Sequence, residues 1–191
     1  MADMCEVTYK LAGDRRAIKT VYEVLRYMER RKTAVVKNRW GKMWLGCMVN
    51  RLGGDCEACG CRGVIVDYWY EGDDEEVLTI VQETEWREQA EVRAFLERVF
   101  PKMKVYYLEN RSGLSAVLTN DEQGRYFEER YFVDSYEDWY FFSTIDEVAE
   151  FAEEVTRQRV AHDIHAVYRA LMEYSEAHED EWYEVREVER G

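Results

Sequence analysis

The chain reads as an α+β fold on three observations. Apolar residues alternate with polar ones in some stretches and recur at helical spacing in others. Over the first 110 residues these stretches follow the order β-α-β-β-α-β, which predicts a ferredoxin-like antiparallel sheet with both main helices on one face. No Pro-, Gly- or Ser-rich linker separates that portion from the remainder, which predicts a single domain over 1–191. Its parts would be a ferredoxin-like unit, 1–110, and a C-terminal β/α extension, 111–191, packed on it as extra strands and two C-terminal helices.

Cys5, Val7, Tyr9 and Leu11 alternate with Glu6, Thr8 and Lys10, the pattern of a half-buried strand. Gly13-Asp14 stops that strand, and Asp14 can cap the next helix. In it, Ile18, Val21, Tyr22, Leu25 and Met28 form one apolar stripe between about Arg15 and Arg31. After a basic loop, a short helix is predicted from Trp44 to Leu52, with Leu45, Met48, Val49 and Leu52 on one face and Gly53-Gly54 as its stop. A cysteine-rich loop then leads to a strand, Val64–Glu71, a hairpin turn at Gly72-Asp73-Asp74 and the return strand Val77–Glu85. Trp86–Val99 reads as a helix with Val92, Phe95, Leu96 and Val99 facing in; Pro101 ends it. Lys104–Glu109 is the fourth strand.

Leu114–Thr119 and Tyr126–Val133 read as two further strands about the turn Asn120–Gly124, extending the sheet. A short aromatic strand, Trp139–Phe142, precedes Ser143-Thr144, where Thr144 and Glu147 have the spacing of a capping box. The helix from Ile145 carries Val148, Ala152 and Val155 inward. A second helix, about Asp163 to His178, carries Val167, Leu171 and Tyr174, and Trp182–Val188 alternates like a closing edge strand.

At 47% hydrophobic and 14% aromatic, the 191 residues hold ample material for a core, and the spread of aromatic and β-branched residues excludes disorder. Against 26 Lys and Arg stand 40 Asp and Glu, a formal charge of −14 that would repel a phosphate backbone and argues against direct nucleic-acid binding. The basic cluster from Arg26 to Arg39 is read as a solvated helix end complementing the helix dipole. No window approaches the roughly 18 apolar residues of a membrane span, and MADMCEVTYK has no signal-peptide pattern. Five cysteines in a chain without an export signal predict a reduced, cytoplasmic setting.

The stretch from Trp40 to Glu71 gathers Trp40, Trp44 and Trp69, six glycines from Gly41 to Gly63, and Cys47, Cys56, Cys59 and Cys61. Glycines there mark tight turns or close backbone approach, and the tryptophans supply large apolar surfaces. WGKMWLGCMVNRLGGD (Trp40–Asp55), GCRG (Gly60–Gly63), TEW (Thr84–Trp86), KVYY (Lys104–Tyr107), TND (Thr119–Asp121) and GRYFEERYFVDS (Gly124–Ser135) together resemble a family of bacterial, plasmid and phage proteins with a YubB-like ferredoxin-like domain. The resemblance covers nearly the whole chain and implies the same ferredoxin-like fold; the family brings no established activity, cofactor or catalytic residue. Cys61, within GCRG, fits the pattern, whereas Cys56 and Cys59 depart from it.

Cys56, Cys59 and Cys61 form C-x2-C-x-C, and with Cys47 they would make a four-thiolate zinc site if all four converged. Structural zinc sites use two separated pairs and only one is present, so free or buried cysteines are the expectation, with no metal and no cofactor. The C-x-x-C does not open a helix after a strand, which argues against thioredoxin-like redox work. His162 and His165 could share a helical face with Asp163, but lack an HExxH context and read as a polar helix start with Asp163 as cap. Glu83 and Glu85, two apart on a strand, point the same way and could act as a hydrolase pair; Glu128-Glu129 lies on another predicted strand. Forty acids make such pairs unavoidable. Arg62 sits between glycines, with Asp55 and Asp67 in reach for a structural ion pair, or free to bind an anion.

The functional expectation is therefore a cytoplasmic, non-enzymatic binding module for a protein partner or small ligand. Its working surface would be the loop Trp40–Gly63, with Trp40, Trp44, Arg62 and Trp69 as binding residues, and the aromatic second half. That half, from Tyr126 to Phe142, also suits self-association into a homodimer. Two alternatives stand beside it: an acidic imitation of nucleic acid arising in a mobile-element contest, and a hydrolase or transferase using Glu83, Glu85 or Cys61.

Overall fold

The alternation from Cys5 to Leu11 gives a strand whose odd-numbered residues are buried and whose Glu6 stays exposed. In the computed structural model, which describes residues 4–72, 76–136 and 138–191, this strand, β1 (Met4–Gly13), lies inside the sheet of a mixed α+β protein. The predicted turn residues Asp73 and Asp74 lie outside the described residues. The chain forms two compact units, Met1–Leu114 and Ser115–Gly191; the boundary expected from sequence lay at residue 110.

In unit 1, α1 (Arg15–Arg30), α2 (Leu45–Arg51), β2 (Gly63–Glu71), β3 (Val77–Glu85), α3 (Ala90–Val99) and β4 (Met103–Arg111) follow β1. The four strands run antiparallel in the order β2-β3-β1-β4. Tyr9 on β1 stands between Ile80 on β3 and Tyr107 on β4. One core joins Val7, Tyr9, Leu11, Leu78, Ile80 and Val105 of the sheet to Ile18, Val21 and Leu25 of α1 and to Val92, Phe95 and Leu96 of α3. Both helices thus cover the face that β1 presents with its odd-numbered residues. Asp14 caps α1 as predicted, accepting from the Ala17 amide at 3.1 Å, a contact worth about 1 kcal/mol.

Helix α3 starts at Ala90, not at the predicted Trp86. Trp86 holds φ 73°, a left-handed conformation that no α-helix continues, and the side chain of Glu88 is turned inward to meet Tyr9.

Unit 2 comprises β5 (Ala116–Thr119), β6 (Tyr131–Ser135), β7 (Trp139–Phe142), α4 (Ile145–Thr156), α5 (Ile164–Ala177), β8 (Tyr183–Glu187) and β9 (Glu189–Arg190). Strands β7-β6-β8 form an antiparallel sheet of their own, with β8 at its edge as predicted. Val133 and Val185 of that sheet pack with Val148, Ala149 and Ala152 of α4 and with Val167 and Leu171 of α5. The capping box at α4 forms as expected: Thr144 accepts from the Glu147 amide while Glu147 accepts from Thr144. Asp163 caps α5 through the amides of His165 and Ala166.

The expected hairpin about Asn120–Gly124 does not form. Strand β5 pairs in parallel with β9, and β6 pairs with β7 and β8. The physical reason lies in Asp121, whose carboxylate accepts from the amides of Tyr126 and Phe127 at 2.7 and 2.9 Å. Those donors are withdrawn from any ladder, so β6 begins at Tyr131 and not at Tyr126. Glu128-Glu129 therefore lies in the loop before β6, not on a strand.

Candidate functional site

Burying Tyr9 in an apolar core leaves its hydroxyl in need of a partner. It donates to Glu88 Oε1 at 2.5 Å and reaches the Gln89 carbonyl at 3.1 Å. Glu88 Oε1 also accepts from Arg93 Nε at 3.0 Å, and the Glu88 amide donates to Glu109 Oε1 at 2.9 Å. Glu109 in turn is held by the fork of Arg111 at 2.7 and 3.1 Å. Burial, followed by the Glu88 charge, pushes the Tyr9 phenol well above its ordinary value. Burial works against the Arg93 charge, but the Glu88 carboxylate outweighs it and holds the guanidinium protonated. A phenol that does not ionise and a carboxylate already engaged are poor bases and poor nucleophiles; together they brace the β3–α3 connection.

Over this brace lies a cleft of ≈ 460 Å³ lined by Gly60, Arg62, the run Glu85–Gln89, and Glu91. The connection is tied down from several sides. Thr84 Oγ1 donates to the Arg87 carbonyl at 2.9 Å, and the Arg62 amide donates to Gln89 Oε1 at 2.9 Å. The amide of Glu85 donates to the Arg62 carbonyl, so the Gly60–Gly63 turn and the end of β3 form one lip. Trp86 stands on that lip, 53% exposed, in its left-handed conformation. A bulky side chain in that conformation costs about 1–2 kcal/mol.

The predicted binding residues divide. Arg62 lines the cleft, its side chain 63% exposed and 4.0 Å from Glu85 Oε2. Its expected partners are occupied elsewhere: Asp55 accepts from the amides of Glu57 and Ala58, and Asp67 from that of Tyr68. Glu85 is shared with Arg39, whose Nη2 lies 3.2 Å from Oε1 and whose guanidinium lies over the Trp40 ring at 5.0 Å. Trp40 is thereby linked to the cleft through Arg39. Trp44 supports it from beneath, its indole N–H donating to the Cys61 carbonyl at 3.0 Å. A Cβ on Gly46 would come within 2.4 Å of the Trp44 ring, so that glycine is what admits the indole. Trp69 does not line the cleft; it lies on β2, 42% exposed, donating to Glu71.

Glu83 does not line the cleft either, and Glu85, with an arginine at each oxygen, acts as an ion-pair acceptor. Burial pushes the Cys61 thiol up to about 12, with Cys59 and Cys56 adding to it, and burial raises Cys59 as well. All five cysteines are free thiols. Cys47 faces the 36–38 loop, with its Sγ 3.6 Å from Asn38 Nδ2 and 3.9 Å from the Val36 carbonyl. Among the described residues no three His, Cys, Asp or Glu side chains are grouped to hold a metal ion, so the four-thiolate alternative does not assemble. His162 precedes α5 and meets Asp146 at 2.6 Å, so it shares no helical face with His165.

The residue that sequence reasoning missed is Trp86, taken there as the start of a helix. The TEW motif marked the position, but a positive φ at tryptophan leaves no compositional trace.

No protein-family model matches the chain, and no curated protein does. A solved structure of an unknown protein from Galdieria sulphuraria is similar over 97% of this chain and 98% of its own, at 9% identity and a TM-score of 0.30. That likeness is too distant to transfer a fold or a function.

Proposed function

We propose that the protein is a non-enzymatic binding module whose working surface is the cleft beside the β3–α3 connection. The observation that carries this reading is Trp86, a large exposed aromatic in a left-handed backbone on the lip of that cleft. Arg62 and Arg87 line the same cleft, so the occupant would offer a planar or apolar face to Trp86 and a carboxylate or similar acid to the guanidiniums. The brace beneath keeps the lip rigid, which lowers the ordering cost of binding.

We further place unit 1 among ferredoxin-like domains of the YubB-like type. Its antiparallel order, β4-β1-β3-β2, and its two helices in one core support this reading. So does the meeting of GCRG and TEW, far apart in the chain, at one lip. Five free thiols suit a reducing, cytoplasmic setting.

The test is quantitative partner capture with the full chain, comparing wild type with Trp86→Ala and Arg62→Ala, all with matched melting temperatures. A partner held by wild type should be lost from both variants. Equal retention by both would remove the cleft as the working surface.

A second reading, an acidic imitation of nucleic acid, is favoured by where the charge sits. Residues 1–114 carry 19 acidic and 19 basic side chains, whereas residues 115–191 carry 21 acidic side chains against 7 arginines and no lysine. Unit 2 alone therefore holds the excess of −14. Competition with DNA for a DNA-binding protein, fading steeply with salt, would support this reading; competition indifferent to salt would end it.

A further inference from the structure

We propose that unit 2 carries a binding site for a small organic oxyanion, phosphorylated or polycarboxylate, in the cleft between the end of α4 and one face of α5. The cleft is ≈ 640 Å³ and is lined by 155–161 on one side and by α5 residues through His178 on the other. That volume is within the range of small-molecule sites and is too large for a bare inorganic ion.

The lining is set by charge. Three of the seven arginines of this strongly acidic unit, Arg157, Arg159 and Arg169, line the cleft, and its lining holds one acid, Glu173. Among the described residues, none of the three forms an ion pair or a side-chain hydrogen bond. Elsewhere in the unit Arg186 is paired with Glu184, and Arg190 is spent on the carbonyls of Asp121, Phe127 and Glu129. Arg169 and Glu173 stand one turn apart on α5, a spacing at which ion pairs form on helices, yet they do not pair. Capping of the α4 carbonyls would be the ordinary use for cations here, but no guanidinium of the three donates to one.

Two backbone and ring features complete the site. Arg157 closes α4 at φ 57°, the left-handed stop where glycine is usual, so a long cation occupies a position that favours a residue without a side chain. His178 stacks on Tyr174 at 4.0 Å and donates from Nδ1 to the Tyr174 carbonyl, leaving Nε2 as the remaining polar atom of the ring. Guanidinium forks match the oxygens of carboxylates and phosphates two at a time, which selects oxyanions over halides. Charges beyond about 8 Å are largely screened at physiological salt, so the lining and the acids that flank it in the chain, Glu153, Glu154 and Glu176, set the field an anion meets.

The experiment titrates the full chain with pyrophosphate and with citrate, at ionic strength held constant with sodium chloride, by calorimetry or amide chemical shifts. Saturable one-to-one binding of either is expected; preference for pyrophosphate assigns the phosphate class, and preference for citrate the carboxylate class. Arg157→Gly with Arg169→Gln should weaken that binding at least about tenfold. Glycine keeps the left-handed stop, so the double variant should melt like wild type; if it does not, Arg159→Gln, on the exposed connection, carries the same expectation. Absence of saturable binding of both probes, or equal binding by a folded variant, would overturn the site.

Discussion

Tyr9 and Glu88, 79 residues apart in the chain, share a 2.5 Å hydrogen bond inside the core of unit 1. The carboxylate also accepts from Arg93, so its removal leaves the guanidinium without its ion-pair partner and the Tyr9 hydroxyl with the Gln89 carbonyl alone, whereas removal of the hydroxyl leaves Glu88 paired with Arg93. Glu88→Ala is therefore expected to destabilise more than Tyr9→Phe, by roughly 3 kcal/mol against roughly 1 kcal/mol. Urea unfolding of both variants and of the double variant would measure it, with a coupling of about 1 kcal/mol expected between the sites. Strictly additive losses would show that the contact carries no weight.

Trp86 separates stability from binding. At φ 73° any L-residue is strained and glycine is not. Trp86→Gly should thus be more stable than Trp86→Ala by about 1 kcal/mol while binding partner no better. Thermal melts and partner capture on the two variants check this; equal stability would mean that the lip relaxes once the indole is gone.

Most of unit 1 is legible in the chain because its strands alternate strictly and its helices show a single stripe: β1 from Cys5 to Leu11 and α1 from Ile18 to Met28 form where the pattern puts them. The start of α3 is hidden by the left-handed Trp86. In unit 2 the side chain of Asp121 outcompetes a ladder for two amides, and the parallel pairing of β5 is with β9, which begins only at Glu189. Such long-range choices leave no local period. The same holds at the cleft: Arg62 announces itself between two glycines, but its contact with Glu85 and the brace from Tyr9 to Glu88 depend on strand register.

The buried thiols set an alkaline limit. Cys61, ordinarily near 9.0, is pushed up to about 12 in the fold, chiefly by burial, and Cys59 is raised too. A raised pKa means that the folded state keeps a proton the unfolded state has lost. The associated stability is complete below about pH 9 and falls as pH climbs towards about 12, by up to about 1.4 kcal/mol per pH unit for each group. Chemical denaturation from pH 8 to 11 should show this decline, and Cys61→Ala should flatten it. An unchanged slope in that variant would assign the decline to Cys59 and the raised tyrosines, Tyr9 among them.

Arg190 lies almost at the end of the chain, yet its guanidinium gathers the 121–129 loop. It donates to the carbonyls of Asp121, Phe127 and Glu129, while the Asp121 carboxylate takes the amides of Tyr126 and Phe127. Backbone groups held this way in a loop cannot find strand partners, so the arginine substitutes for a ladder. Its planar fork is what reaches several carbonyls at once, and a lysine would satisfy fewer of them. Arg190→Lys is expected to cost about 1–2 kcal/mol and Arg190→Ala roughly 3 kcal/mol. Hydrogen exchange should report the loss locally, as faster exchange at the Tyr126 and Phe127 amides in both variants before any change in the amides of α4. Uniform acceleration across unit 2 would mean that the clasp supports the whole unit and not the loop alone.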